Sequence, residues 1–244
     1  MLVRRISPGR IGLGLLAVFT VLLATHLVVM VLRLELDRDY LLGIAPRLDF
    51  DHEGTVPAWF NGLLLAVASA VTFLWARYAA SADRPLTARL IVIGLAFAFL
   101  SFDEVAALHE RLSFLGSGQG LTRLGGWTVL YVPLAVVLGL WLVPLLLRVP
   151  RPTAIILVLA GVMFVSGAVL LEGLGTKIVE TIAGVPITQV SPEQWAEIRR
   201  NWFYVLEHTA EESLEMCGSI LYIYGVFDYF ARRGVVIELR FSRR

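Results

Sequence analysis

Cysteine is almost absent from this chain. The single Cys217 among 244 residues excludes an internal disulfide framework and any multi-cysteine zinc site. Charge is scarce and nearly balanced, at 17% of residues and a net +1. That balance gives no reason to expect nucleic acid, and no basic patch interleaved with aromatics occurs. The glycines at 116, 118, 120, 125 and 126 are not followed by the Gly-Lys-Ser/Thr ending of a phosphate loop, which removes nucleotide binding on that motif. No serine or cysteine nucleophile arrangement is visible. Internal repeats, low-complexity tracts and a soluble appendage are also lacking.

What the chain has is apolar sequence. It is 57% hydrophobic with a mean hydropathy of +0.75, too apolar for an ordinary soluble domain. A helix crosses about 30 Å of hydrocarbon in roughly 20 residues. Six runs reach that length: 11–32, 57–78, 90–109, 127–147, 153–172 and 210–230. The first comes after Arg4, Arg5 and Arg10, yet it is too long for a signal-peptide core and no small-x-small cleavage site succeeds it, so it reads as a retained span. The expected fold is therefore all-α, a polytopic bundle forming a single integral membrane domain over 1–244. Thirteen of the 21 Lys and Arg fall on segments that share a side with the N-terminus, and eight on the longer opposite connections. The excess predicts N-in/C-in topology.

The chain's charges are not spread evenly over this bundle. Glu207, His208, Glu211, Glu212 and Glu215 stand at the outer end of the last span. Counting back about 20 residues from 230 puts Ala210 at the outer boundary, with Glu215 roughly 7 Å deeper at about 1.5 Å per residue. Ser101, Asp103, Glu104, His109 and Glu110 occupy the outer half of the third span, and Glu172 the outer end of the fifth. At about 100° per residue, His208, Glu211, Glu212 and Glu215 fall within roughly a 100° arc, joined by Tyr204, Ser219 and Tyr222. Asp103 and Glu110 fall within roughly 20° of each other, with Ala106 and Ala107 on the same side to let another helix approach. Charges near a helix centre cost about 2.5–3.5 kcal/mol each, less toward the ends. Asp103, Glu104 and Glu215 would repel one another unless protonated, paired or bound to metal.

Around this group the ordinary readings are simpler. Glu172 and Glu207 read as solvated helix ends, and His26 as a packed histidine bonded to a neighbouring helix. His52 and Glu53 read equally as loop surface or site. Asp228 pairs with Arg232 one turn on. In the last outer connection, Ser191, Pro192 and Gln194 spell a helix start with a capping box. With Trp195 and Trp202 it reads as an interfacial strap, or as a lid over the site.

Phe99-Leu100-Ser101-Phe102-Asp103-Glu104 with His109-Glu110, and Glu211-Glu212-Ser213-Leu214-Glu215-Met216, resemble motifs of uncharacterised bacterial multi-pass membrane proteins. So does Asp49-Phe50-Asp51-His52-Glu53 with Pro57-Ala58-Trp59-Phe60. The resemblance touches three regions and implies a six-span inner-membrane protein, with no established activity. Ser101, Asp103 and His109 also resemble, weakly, the first motif of the alkaline ceramidase and adiponectin-receptor superfamily of membrane hydrolases. That superfamily builds a zinc site from three histidines, a serine and an aspartate. This chain departs from it in lacking a His-x-x-x-His in the last helix, where Glu211 and Glu212 come after His208, and in having six spans where seven are typical. Carboxylate di-iron proteins use Glu-x-x-His on two helices, whereas here the order is His208-x-x-Glu211.

These readings lead to an inner-membrane protein with an outward-facing carboxylate/histidine site for a divalent metal, Zn, Fe or Mn. Metal ligands would come from Asp103, His109, Glu110, His208, Glu211 and Glu215, with Glu104 or Glu212 as general base. Metal-activated water attacking a lipid-like substrate is the first expected use, membrane lipids being the expected surroundings. A cation or proton pathway with kinks at Pro133 and Pro144, or a non-catalytic assembly subunit, are the alternatives.

Overall fold

The computed structural model describes residues 7–38, 40, 43–80, 83–108 and 128–235. The described fold is all-α. Its helices are α1 (Pro8–Leu36), α2 (Val56–Ala79), α3 (Arg84–Ala106), α4 (Thr128–Leu146), α5 (Arg151–Val165), α6 (Glu172–Ala183), α7 (Pro192–Ile198) and α8 (Trp202–Arg232). A π-helical turn, Ser166–Leu171, joins α5 to α6 without a break.

Short polar side chains start these helices, as their apolar interiors require. Ser7 accepts from the Arg10 N–H, Thr55 from Ala58 and Asp83 from Leu86, each with a proline in the first turn. These caps satisfy donors that hydrocarbon would leave orphaned. Asp83 also holds Arg148 at 3.2 Å, tying the start of α3 to the end of α4. At the foot of α8, Asp228 takes Arg232 at 2.5 Å, the pair expected from their spacing.

The acid-bearing helix is the hub: α8 packs against α1, α2, α5, the π turn and α6, while α2 and α3 form a close pair. One apolar cluster around Trp75, Leu90, Val226 and Tyr229 fills the end away from the acids. A second joins Phe19, Phe60, Leu64, Met216 and Ile223 between α1, α2 and α8. Glycines set the closest approaches. A Cβ at Gly218 would stand 2.8 Å from the Ala160 carbonyl and 2.8 Å from the Phe164 nitrogen, and one at Gly167 2.7 Å from the Glu211 carbonyl. Backbone meets backbone there, the close packing small residues permit between membrane helices.

Among the described residues, four helices are long and apolar enough to cross a membrane: Pro8–Leu36, Val56–Ala79, Arg84–Ala106 and the continuous Arg151–Ala183; Val132–Leu146 is a shorter apolar stretch. Three boundaries differ from the sequence reading. α3 stops at Ala106, because Ala107 turns left-handed (φ 50°) and donates its N–H to the Asp103 carbonyl. The shared face expected for Asp103 and Glu110 falls on Glu110, which lies outside the described residues. The fifth span does not end at Glu172: α6 carries it to Ala183, where Ile178, Val179 and Ile182 find partners in Trp195, Ile198 and Tyr204. α8 begins at Trp202 rather than at 210, with the Asn201 side chain accepting from the Phe203 N–H.

His26 behaves as the packed histidine expected. Its Nδ1 accepts the Phe50 N–H at 3.2 Å, its Nε2–H donates to Thr209 Oγ1 at 2.9 Å, and Thr209 donates on to the Val205 carbonyl at 2.6 Å. The ring stacks on Phe50 with centroids 4.4 Å apart. α1 is thereby pinned to α8 beside the first connection.

Candidate functional site

Every acid that sequence phase singled out on α8 faces one cavity of about 960 Å³. Among the described residues nine carboxylates line it: Asp51, Glu53, Asp103, Glu104, Glu172, Glu207, Glu211, Glu212 and Glu215, with His52, His208 and Arg199 beside them. They come from the first connection, α3, α6, α7's end and α8. Asp103, Glu207 and Glu211 are buried.

The π turn matters to this convergence. A wide turn inside an α-helix shifts the helical phase of the residues beyond it, and such turns recur at functional sites. Here it lies directly before Glu172 and places Gly167 against Glu211 and Glu215. Gly175, two turns on, makes room for the Glu207 carboxylate, whose Oε2 would lie 2.7 Å from a Cβ there. On the other wall, Ser101 donates to the Gly62 carbonyl at 2.8 Å. Gly62 also accommodates Val105, whose Cγ2 would lie 2.9 Å from an added Cβ. This brings Asp103 and Glu104 to the face of α2 that carries Asn61, which itself donates to Glu215 at 3.4 Å.

His208 sits at the centre of the polar end. Its Nδ1 lies 3.5 Å from Glu211, and its Nε2 3.8 Å from Asp51 and 4.0 Å from Glu212. The same Nε2 is 3.2 Å from the Phe50 carbonyl. Glu212 in turn faces Glu104 and Glu215 as well as His208 and Glu211. Asp51 is the second hub. Tyr204 donates its hydroxyl to Asp51 at 2.5 Å, and the Arg199 guanidinium pairs with it at 3.0 Å.

Above this cluster runs the segment expected as strap or lid. The capping box at Ser191 and Gln194 is present. The Ser191 hydroxyl also donates to Glu193 at 2.7 Å, which holds that carboxyl below its usual range. Arg199 lies over the Trp195 ring, and both line the cavity. Arg200 pairs with Asp37, and the Trp202 indole donates to Glu35 at 2.8 Å. The strap thus closes the polar end and is tied down on α1 and the first connection.

Residues 12–230 match the family described as Domain of unknown function (DUF8692). The chain belongs to that family. No curated protein and no solved structure matches the chain. The DUF8692 match takes in the whole cavity, from Phe50 to Tyr222.

Of the site residues expected from sequence, Asp103, Glu104, His208, Glu211, Glu212 and Glu215 share the cavity. His109 and Glu110 lie outside the described residues. Two expectations are overturned within the DUF8692 fold: Glu207 is a buried wall residue rather than a solvated end, and Glu172 is half-buried on the same cavity. Both change because α6 and α8 extend past the spans assigned to them. Asp51, Asn61 and Arg199 were not foreseen as site residues. For Asp51 the signal was present, an acidic run just before the α2 cap; nothing local distinguishes Asn61 or Arg199. Among the described residues no three His, Cys, Asp or Glu groups are arranged closely enough to hold a metal ion. They hold each other instead, with His208 between Asp51, Glu211 and Glu212.

Proposed function

We propose that this DUF8692 protein is a six-span, N-in/C-in protein of the bacterial inner membrane whose cavity faces the exterior and binds a divalent cation. The single observation that carries this reading is the crowding of nine carboxylates on one cavity. So many acids cannot all remain charged side by side without cations or protons between them. The donors are oxygens and imidazole, which suit Zn, Fe or Mn.

His208, Glu211 and Glu215 would supply ligands from α8, with Asp103 opposite. His208 lies within 4.0 Å of Asp51, Glu211 and Glu212, so Glu211 is the proposed ligand already beside the imidazole. Glu212 and Glu104 face each other across the cleft and would take and return a proton. A metal in this place would activate water toward an ester, amide or phosphoester bond of an amphiphilic substrate. A complete cation pathway is less well supported, because the end of the cavity away from the acids is walled by apolar side chains.

The test is elemental analysis of the purified protein beside a His208→Ala, Glu215→Ala double variant. The expected result is a stoichiometric divalent metal in the first and its loss in the second. Metal near zero in both contradicts the reading, and full retention in the double variant rejects these two ligands.

A further inference from the structure

The acids occupy only one end of the cavity. The rest is a limb walled by apolar side chains, among them Ile93, Phe97, Leu142 and Leu157, with Trp75 at its far end. Trp75 is fully buried and lies against Tyr229, with ring centroids 4.5 Å apart. The rise of α8 from Glu215 to Tyr229 is about 21 Å. One lipid chain covers half of the hydrocarbon core, roughly 15 Å, so the limb is deep enough for a whole chain. The cavity volume of about 960 Å³ is far more than an ion and its waters need. An apolar space stays dry and takes an apolar guest instead. Left empty, it would forfeit the contacts of every side chain along it.

Two glycines leave the limb open. Gly161 lies between Leu157 and Val165 on α5, and Gly139 between Ala135 and Leu142 on α4. All six line the cavity, each set along one helix face. A Cβ at either glycine meets nothing within 4 Å. The two stand at different depths. Gly218 passes Ala160 and Phe164, so Gly161 lies about one turn beyond Glu215. Leu142 packs on the cluster that holds Trp75, so Gly139 lies just short of the end. The limb also opens sideways. Val158, Val162 and Val165 line it and are exposed, on a helix apolar enough to cross a membrane. A chain can therefore enter from the hydrocarbon without displacing the strap.

We infer that the limb holds the hydrocarbon chain of the cavity's amphiphilic substrate and measures its length, with Trp75 as the stop. A shorter chain leaves part of the limb without contacts. A longer one meets Trp75, which is packed on Tyr229, and its head is lifted from the acid end. The substrate class is a lipid with a chain about as long as one leaflet of the core. This rests on the reading of the cavity as an amphiphile site and does not require the metal.

The experiment uses the full chain in a steroid-based detergent, whose rigid body does not match an alkyl limb. The probes are octylglycerol, dodecylglycerol, hexadecylglycerol and docosylglycerol, neutral ethers that hydrolysis leaves intact. Each displaces radiolabelled hexadecylglycerol at matched mole fraction in the detergent. Affinity is expected to rise to the hexadecyl ether and to fall at least tenfold at the docosyl ether. Gly139→Phe shortens the limb from its far end, so the optimum moves to the dodecyl ether and the hexadecyl ether weakens at least tenfold. Gly161→Phe blocks the limb near the acids and weakens both ethers at least tenfold. Thermal unfolding shows which variants fold, and the length series of the parent decides the matter if neither does. No binding, affinity that is flat or still rising at the docosyl ether, or a folded variant with the parent's profile overturns the inference. Metal content is measured on the same samples. A metal-free protein with the hexadecyl optimum sinks the metal reading alone, and a metal-loaded protein without a length optimum sinks this one alone.

Discussion

Gly218→Leu separates the two helices that frame the cavity and leaves little protein folded in detergent. A Cβ at Gly218 would approach the Ala160 carbonyl and the Phe164 nitrogen at 2.8 Å, and the Phe164 Cβ at 3.1 Å. The obstacles are backbone atoms of α5, which cannot swing aside as a side-chain tip can. Overpacking a close contact costs about 1–3 kcal/mol, with larger costs when helices must shift. Here the shift also draws Gly167 away from Glu211, loosening the acid end. Gly161→Leu is the control on the facing helix α5, because its Cβ direction is open. Thermal unfolding and size-exclusion profiles of the two variants are expected to diverge sharply, with Gly161→Leu close to the parent. Similar behaviour of both would contradict the α5–α8 packing.

Asp51→Ala is expected to release the strap. Asp51 accepts the Tyr204 hydroxyl at 2.5 Å and the Arg199 guanidinium at 3.0 Å, and lies 3.8 Å from His208. Removing it leaves the buried Tyr204 hydroxyl without its acceptor, a loss of about 1–3 kcal/mol. The ion pair adds less than about 1 kcal/mol, since the Arg199 side chain is 36% exposed and solvent screens it. Asp51→Asn keeps an acceptor for Tyr204 and is expected to recover most of the difference. Trypsin reads the strap directly: cleavage after Arg199 or Arg200 is expected to quicken at least tenfold in Asp51→Ala and little in Asp51→Asn. Unchanged cleavage in Asp51→Ala would show that the strap is held by Arg200–Asp37 and Trp202–Glu35 instead.

Hydropathy and helical phase made much of this site legible. His208, Glu211, Glu212 and Glu215 share a face because α8 is regular through them, and Asp103 and Glu104 meet them because α3 enters from the other end. Phase failed where the backbone stops being an ideal helix. The left-handed Ala107 ends α3 one residue after Ala106, and the π turn at Ser166–Leu171 brings Glu172 and Gly175 to α8 in a way a period of 3.6 does not foretell. Length rules failed at α6 and α8 for a different reason. A span is sized by the bilayer, whereas these helices continue because Ile178, Val179 and Ile182 gain partners on Trp195, Ile198 and Tyr204. That continuation buries Glu207, which composition alone assigns to solvent. Asp51 and Arg199 meet only through tertiary contact, so no local pattern joins them.

The most direct test of the carboxylate/histidine cation site is the nitrogen coupling to Mn²⁺ bound by the purified full-length protein. Electron spin-echo modulation is predicted to show a directly coordinated imidazole nitrogen, lost in His208→Gln while Mn²⁺ still binds more weakly to the remaining carboxylates. Failure to bind Mn²⁺, or an imidazole signal that survives His208→Gln unchanged, would contradict the account.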